Sequence, residues 1–237
     1  KYPDAKFEKR LQQTYPAREY CVQFDETDLD FVRRLMEHEG IFYFFEYAED
    51  GHTLVLADSM AKLKPADGYE TVPFHFEDGA ARRDRDYLSG WEATSRFLPM
   101  SYTHTDYNFE KPSLSLLAQS EAEPVAGLFR GEVYRQPGAH MELERGDSLA
   151  AIRREELQAP HVRARATGTI RGLASGHRFK LSGFPRDDQN REYVVLRADY
   201  RVVDPGYRSG IAFDGETYRA EFVVAPTALP YRPPRTV

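Results

Sequence analysis

The sequence is short of the residues and patterns on which much chemistry depends. A single cysteine, Cys21, stands among 237 residues. No intrachain disulfide and no multi-thiolate metal site can form, and folding in a reducing compartment is expected. No apolar run approaches the roughly 20 residues needed to cross a bilayer, and no apolar signal-peptide core follows the N-terminus. No stable membrane insertion by this segment is expected. Positive charge is not in surplus either: 32 Lys and Arg face 38 Asp and Glu, a formal net charge of -6. That balance argues against a general nucleic-acid binder, because neutralising phosphates needs concentrated Lys and Arg. The densest basic spot, Arg82-Arg83-Asp84-Arg85, is interrupted by an acid and lacks neighbouring stacking aromatics, so it reads as a solvated loop.

Catalytic patterns are missing as well. Gly172-Leu173-Ala174-Ser175-Gly176 places its serine one position too late for a nucleophile elbow and reads as a turn. Glu37-His38-Glu39 is the nearest fragment to a zinc-binding H-E-x-x-H, but consecutive side chains lie about 100° apart around a helix and cannot converge on one ion. His52, His75, His104, His140, His161 and His177 are singletons without ligand spacing. Gly168, Gly172 and Gly176 form no phosphate-cradling motif. Glu142 and Glu144 would project from one face of a strand, and Asp187-Asp188 lies in a turn. A glycosidase needs two carboxylates opposed across a cleft, one with a raised pKa, and adjacency in sequence supplies neither. The residues thus point to no catalytic group, no metal ligand, no cofactor and no enzyme.

What is present is a folding chain. Hydrophobic residues make up 41% and charged residues 30%, with 15 Phe and 15 Tyr, enough apolar surface for one or two domains with substantial cores. Tyr20-Cys21-Val22-Gln23-Phe24 alternates like a strand, with Cys21 as a small core residue. Thr27 and Asp30 have the spacing of an N-cap and an acidic third position, and Gly40 supplies a stop, which predicts a helix over 28–39. Leu29, Phe31, Val32, Leu35 and Met36 make its apolar stripe, while Arg33, Arg34, Glu37 and His38 lie away from it. A hairpin over 41–57 follows, turning at Asp50-Gly51, with the helix packed on one face. Its continuous aromatics, Ile41-Phe42-Tyr43-Phe44-Phe45-Glu46-Tyr47, read as a sheet buried on both faces in preference to a ligand-stacking platform.

The stretch from 62 to 87 loosens into Pro65, Gly68, Pro73 and Gly79, a connecting region. Strand patterns then cover 91–96, 102–109, 162–170, 178–181, 193–203 and 211–224, the last containing a second hairpin signal at Phe213-Asp214-Gly215-Glu216. A second helix is expected at 148–157 with Asp147 as its cap. Many short strands with few helices imply a sandwich or barrel in the C-terminal half. The expected fold class is therefore α+β, mainly β. An α/β helix-plus-hairpin subdomain with its connecting segment fills 1–86, a β-barrel domain 87–228, and a Pro-rich linker to a further domain 229–237. The chain starts at Lys1 in mid-pattern and reads as a piece of a longer polypeptide.

From Tyr15-Pro16-Ala17-Arg18-Glu19 through Tyr20-Cys21-Val22-Gln23-Phe24-Asp25-Glu26-Thr27 and on to Gly40-Ile41-Phe42-Tyr43-Phe44-Phe45-Glu46, the sequence strongly resembles the VgrG (valine-glycine repeat protein G) family of type VI secretion spike proteins. Asp106-Tyr107-Asn108-Phe109-Glu110-Lys111-Pro112, Gly176-His177-Arg178-Phe179-Lys180-Leu181, Gln189-Asn190-Arg191-Glu192-Tyr193 and Pro230-Tyr231-Arg232-Pro233-Pro234 extend the likeness over nearly the whole chain. It departs from the family at Val133-Tyr134-Arg135-Gln136-Pro137-Gly138 and at Phe184 before Pro185.

The resemblance implies a phage tail hub-like fold in which two related barrels flank α/β elements, the first barrel mostly absent from this chain. It implies the structural hub section of a trimeric cell-puncturing spike that docks on the hexameric tube protein Hcp and carries a C-terminal needle for effector delivery. Implied partners are further copies of itself, the tube protein, baseplate components, and effectors or adaptors borne by the full-length spike. The implied location is the bacterial cytoplasm at the baseplate before firing, and then outside or in a target cell. Two alternatives stand beside it: the baseplate hub of a phage tail or pyocin-like contractile particle, and an envelope glycan hydrolase with a fold-assembled carboxylate pair.

Overall fold

Thr27 starts the first helix as its chemistry predicts. In the computed structural model, which describes residues 5–76, 86–124, 126–203 and 218–236, the Thr27 hydroxyl accepts from Asp30 N at 3.1 Å and donates to Asp30 Oδ2 at 2.7 Å. A short strand β1 (Phe7–Arg10) precedes the helix α1 (Asp28–Glu39), and Gly40 ends that helix in the left-handed region at a φ of 70°, a conformation open to glycine at little cost. The predicted hairpin follows as β2 (Phe42–Ala48) and β3 (Gly51–Ala57). The three strands order as β1-β3-β2, with β1 parallel to β3.

Six strands build the larger sheet: β4 (Thr71–Pro73), β5 (Leu88–Ser95), β9 (Val162–Gly168), β10 (Arg178–Ser182), β11 (Glu192–Val202) and β12 (Tyr218–Pro226), in the order β4-β10-β11-β12-β9-β5. Phe74 bridges Leu88, and His75 N donates to Leu88 O at 2.9 Å. The two edge strands therefore meet, and the sheet curls back around a core of Leu88, Phe179, Leu181, Tyr193 and Phe222. Each such fully buried side chain contributes about 1.5–3 kcal/mol relative to exposure. The first sheet packs outside this barrel, where Phe42, Phe44 and Val55 meet Val194 and Ala225.

A third unit is inserted between β5 and β9. Strands β6 (Leu98–His104), β7 (Ala118–Glu121) and β8 (Leu128–Arg135) order as β7-β6-β8, and helix α2 (Leu143–Gln158) closes over Tyr102 and Ala118 with Ala150. The architecture is mostly β with two helices, as expected for the fold class.

Several local expectations are corrected. Tyr20–Phe24 is no strand: residues 19–24 are exposed and without a ladder partner among the described residues, and Cys21 is exposed. Alternation reports which side chains need an apolar environment, not whether the same chain supplies it. Helix α1 is not laid across the hairpin. Leu29 and Val32 are exposed, Glu37 is buried, and the apolar cluster beneath the hairpin contains no residue of α1. The aromatic strand is buried on one face only. Phe42 and Phe44 point inward, while Tyr43 and Tyr47 are exposed in a row with Phe45 and His52, because aromatics on successive positions fall on opposite faces of a strand.

Helix α2 begins five residues earlier than predicted, at Leu143, with Glu142 as an N-cap that makes no side-chain cap bond and with Asp147 inside the helix. Glu142 and Glu144 thus sit at a helix start and not along a strand. Strand β6 stops at His104, leaving 105–109 as loop. Asp187-Asp188 opens a short 3-10 turn. Arg82-Arg83-Asp84-Arg85 and the hairpin signal at Phe213–Glu216 lie outside the described residues.

The Pro-rich end, read as a linker, packs against the body. Tyr231 meets Phe42 edge-on at 5.3 Å between ring centroids. Arg232 donates to Asp58 O at 2.7 Å, to Gly40 O at 3.1 Å and to Glu155 at 2.7 Å, and Thr236 bonds both oxygens of Glu37.

Candidate functional site

A helix ends with unpaired carbonyls and a partial negative charge, so cations gather there. At the end of α1 they come from far along the chain. Arg153 of α2, itself buried, donates to Glu37 O at 3.2 Å and to His38 O, and Arg232 reaches Gly40 O. Glu39, the last residue of α1, is buried and accepts from Arg145 at 2.7 Å on both oxygens and from Arg18 at 2.7 Å, with His38 Nδ1 3.3 Å away. Burial pushes the Glu39 carboxyl up, but the hydrogen bonds from His38 and Arg145 outweigh it and hold it at about 2. The result is a clasp that locks α1 to α2.

Beside the clasp opens a cleft of about 530 Å³ whose walls include Tyr15, Glu39, Glu142, Glu144, Glu155 and Arg232. It is the place where carboxylates converge. Glycoside hydrolysis asks one of them to be a proton donor with a raised pKa, and the clasped Glu39 is shifted the other way. Glu155 is paired with Arg232 at 2.7 Å. Among the described residues no three His, Cys, Asp or Glu side chains are grouped to hold a metal ion. Glu37-His38-Glu39 is spent on helix-end contacts, and Ser175 lies in the turn before β10.

The second feature is a loop cluster that spacing could not reveal. Asp106 accepts from Tyr107 N at 2.8 Å and from Ala139 N at 2.6 Å. Burial raises its pKa, but the backbone N–H groups of Tyr107, Ala139 and His140 outweigh that and hold it below the ordinary carboxylate value. Asn108, 5% exposed, accepts from Glu110 N and Lys111 N and donates to Met141 O at 3.1 Å. With the polar side chains turned inward to tie the loops, the aromatics face out: Tyr107 is 61% and Phe109 72% exposed. Leu114, Leu117, Met141 and Leu143 are exposed on the same loops and the adjoining first turn of α2. Beneath them lie His104 and His140, both buried, with ring centroids 4.6 Å apart. His104 Nε2 donates to Gly146 O and His140 Nε2 to Leu116 O, each at 2.8 Å. Burial lowers the His104 pKa, making that ring harder to protonate than a free imidazole.

Rigid support under exposed apolar side chains is the signature of a surface made for a partner. The sequence flagged Asp106 to Pro112 only as an echo of a family. The inversion of polar-in and aromatic-out is a property of the folded loops.

Comparisons with known proteins place the chain in a family. Residues 2–206 match the family model of the phage tail baseplate hub (GPD). The type VI secretion system spike protein VgrG1a of Pseudomonas aeruginosa is 39% identical over 215 residues, 91% of this chain and 33% of that protein. The chain thus spans about a third of that relative's length. Among solved structures, the Escherichia coli c3393 protein is described as a component of the type VI secretion system with structural similarity to the T4 bacteriophage tail proteins gp27 and gp5. It covers 96% of this chain and 45% of its own length with a TM-score of 0.57 at 18% identity. The 43 kDa tail protein of prophage MuSo2 from Shewanella oneidensis covers 96% of this chain and 62% of its own length with a TM-score of 0.63 at 11% identity.

Proposed function

Because the chain belongs to the phage tail baseplate hub family, with VgrG spike proteins as its kin in sequence, we propose that it is the structural hub section of a trimeric type VI secretion spike. In this reading the hub docks on the hexameric tube protein Hcp and contacts baseplate components. The full-length protein carries the needle and any effector or adaptor, sitting at the baseplate in the cytoplasm before firing and leaving the cell with the shot. The segment works by shape and assembly and performs no catalysis. The observation that carries the proposal is the pairing of a family match over most of the chain with rigidly supported, outward-facing aromatics at Tyr107 and Phe109.

The test is co-assembly. The intact parent mixed with the tube protein is expected to form a complex containing three spike chains per tube end, visible by electron microscopy and mass photometry. A strict monomer that ignores the tube protein would sink the proposal. The likeness to a prophage tail protein favours one second reading, the hub of a phage-like contractile particle. Exchange of the tube protein for a phage tail tube in the same experiment separates the two.

A further inference from the structure

Two apolar surfaces of this chain lack a cover among the described residues, and they are unlike each other. The first joins the segment of Tyr20, Val22 and Phe24 to the outer side of α1 at Leu29 and Val32, with Tyr20 85% and Phe24 84% exposed. It is held in place: Gln23 donates to Glu26 O and Asp28 Oδ1, both at 3.0 Å, and Arg34 grips Glu26 at 2.6 Å and 3.0 Å while donating to Val22 O. The second is the loop cluster of Tyr107, Phe109, Leu114, Leu117, Met141 and Leu143. An aromatic side chain presents about 200 Å², so each surface offers on the order of 600 Å² of apolar area. That is at the upper end of the roughly 300–600 Å² of the largest apolar patch on an ordinary monomer. With a polar rim it approaches the roughly 800 Å² per partner of a standard stable interface.

We propose that these two surfaces are the two halves of one contact, the α1 surface of one copy seating on the loop cluster of the next. The inference rests on the self-association in the hub reading and adds which residues meet. A ring with an odd number of identical subunits cannot close through a patch that meets itself; it needs two unlike, complementary patches joined head to tail. The exposed side chains of the two surfaces are comparable in number and exposure. Ring closure also needs a fixed angle between them, and the clasp of Arg145 on Glu39 ties the end of α1 to the first turn of α2, which carries Leu143.

The unlike character of the halves supplies the test. Phe24→Asp removes the first surface and leaves the second; Phe109→Asp does the reverse. Both side chains are exposed, so far-UV circular dichroism and the urea midpoint should match wild type, and Phe24→Ser and Phe109→Ser serve as milder versions. Sedimentation equilibrium of the 237-residue chain is expected to show a trimer for wild type and at least tenfold weaker association for each variant alone. An equimolar mixture of the two Asp variants should form a 1:1 dimer that grows no further, because one good interface survives between them. Cys21, exposed within the first surface, should react with a maleimide at least tenfold more slowly in the wild-type assembly than in Phe109→Asp.

A wild-type chain that stays monomeric at its highest soluble concentration overturns the inference. So does a trimer indifferent to both substitutions, or a mixture that fails to pair; these last two leave the hub reading standing. A trimer sensitive to both substitutions, whose parent ignores the tube protein, overturns the hub reading and keeps the contact.

Discussion

Arg145 sets a single nitrogen, Nη2, 2.7 Å from each carboxylate oxygen of Glu39, joining the first turn of one helix to the last residue of the other. Removing one partner of a mostly buried ion pair leaves the other charge poorly solvated and is worse than never having built the pair. Glu39→Gln is expected to lower the unfolding free energy by about 2 kcal/mol, less than for a fully buried pair because Arg18 and Arg145 keep some contact with water. Urea unfolding followed by the fluorescence of Trp91 measures it, and a midpoint equal to wild type would count against the clasp as a source of stability.

The same carboxylate sets an acid limit. Its folded pKa is about 2 against an ordinary 4.5, so the unfolded chain takes up a proton on acidification before the folded one does. The stabilisation is complete above pH 4.5 and is lost as pH falls towards 2. Wild type should lose about 2–3 kcal/mol from this group over that window, and Glu39→Gln should show a correspondingly flatter curve.

Gly146 is a helix residue that exists for room. An added Cβ would come within 2.5 Å of His140 Nε2 and 3.0 Å of Ala118 Cβ. Alanine gains about 1 kcal/mol in helix propensity, whereas overpacking a tight site costs about 1–3 kcal/mol. Gly146→Ala is expected to be net destabilising in thermal unfolding; a raised melting temperature would show that the imidazoles yield.

His104 brings a second, milder pH window. Burial lowers its folded pKa from the ordinary 6.5, so the unfolded state binds the proton first and stability falls as pH drops below 6.5, by at most about 1.4 kcal/mol per pH unit. The neighbours are His140, Arg153 and Asp106, and the first two add to the disfavour of a positive charge. Hydrogen-exchange protection factors of the backbone around 105–117, corrected for the intrinsic pH dependence of exchange, should be lower at pH 5.5 than at 7.5 in wild type and much less changed in His104→Gln.

Much of the first α/β unit was legible because its signals are local. Thr27 caps and Gly40 stops the helix they flank, and the hairpin signal at Asp50-Gly51 lies one residue late, the turn being Glu49-Asp50 with Gly51 opening β3. What escaped reading depends on distance. Gly146 looks like a breaker until His140 is seen against it, and Arg145 finds Glu39 across 106 positions. The strand pattern of Tyr20-Cys21-Val22-Gln23-Phe24 was real as a pattern and misleading as an element, because its apolar side chains find no cover in the described chain. Family likeness drew attention to Asp106 through Pro112, but only the fold shows that Asp106 and Asn108 turn in and Tyr107 and Phe109 turn out.

The Pro-rich end has a mechanical meaning. Before tension applied at Thr236 reaches strand β12, it must pass Glu37, Glu155, Gly40 and the ring of Phe42. A pull entering there would meet the two helices and the small sheet first, ahead of the ladder between β11 and β12.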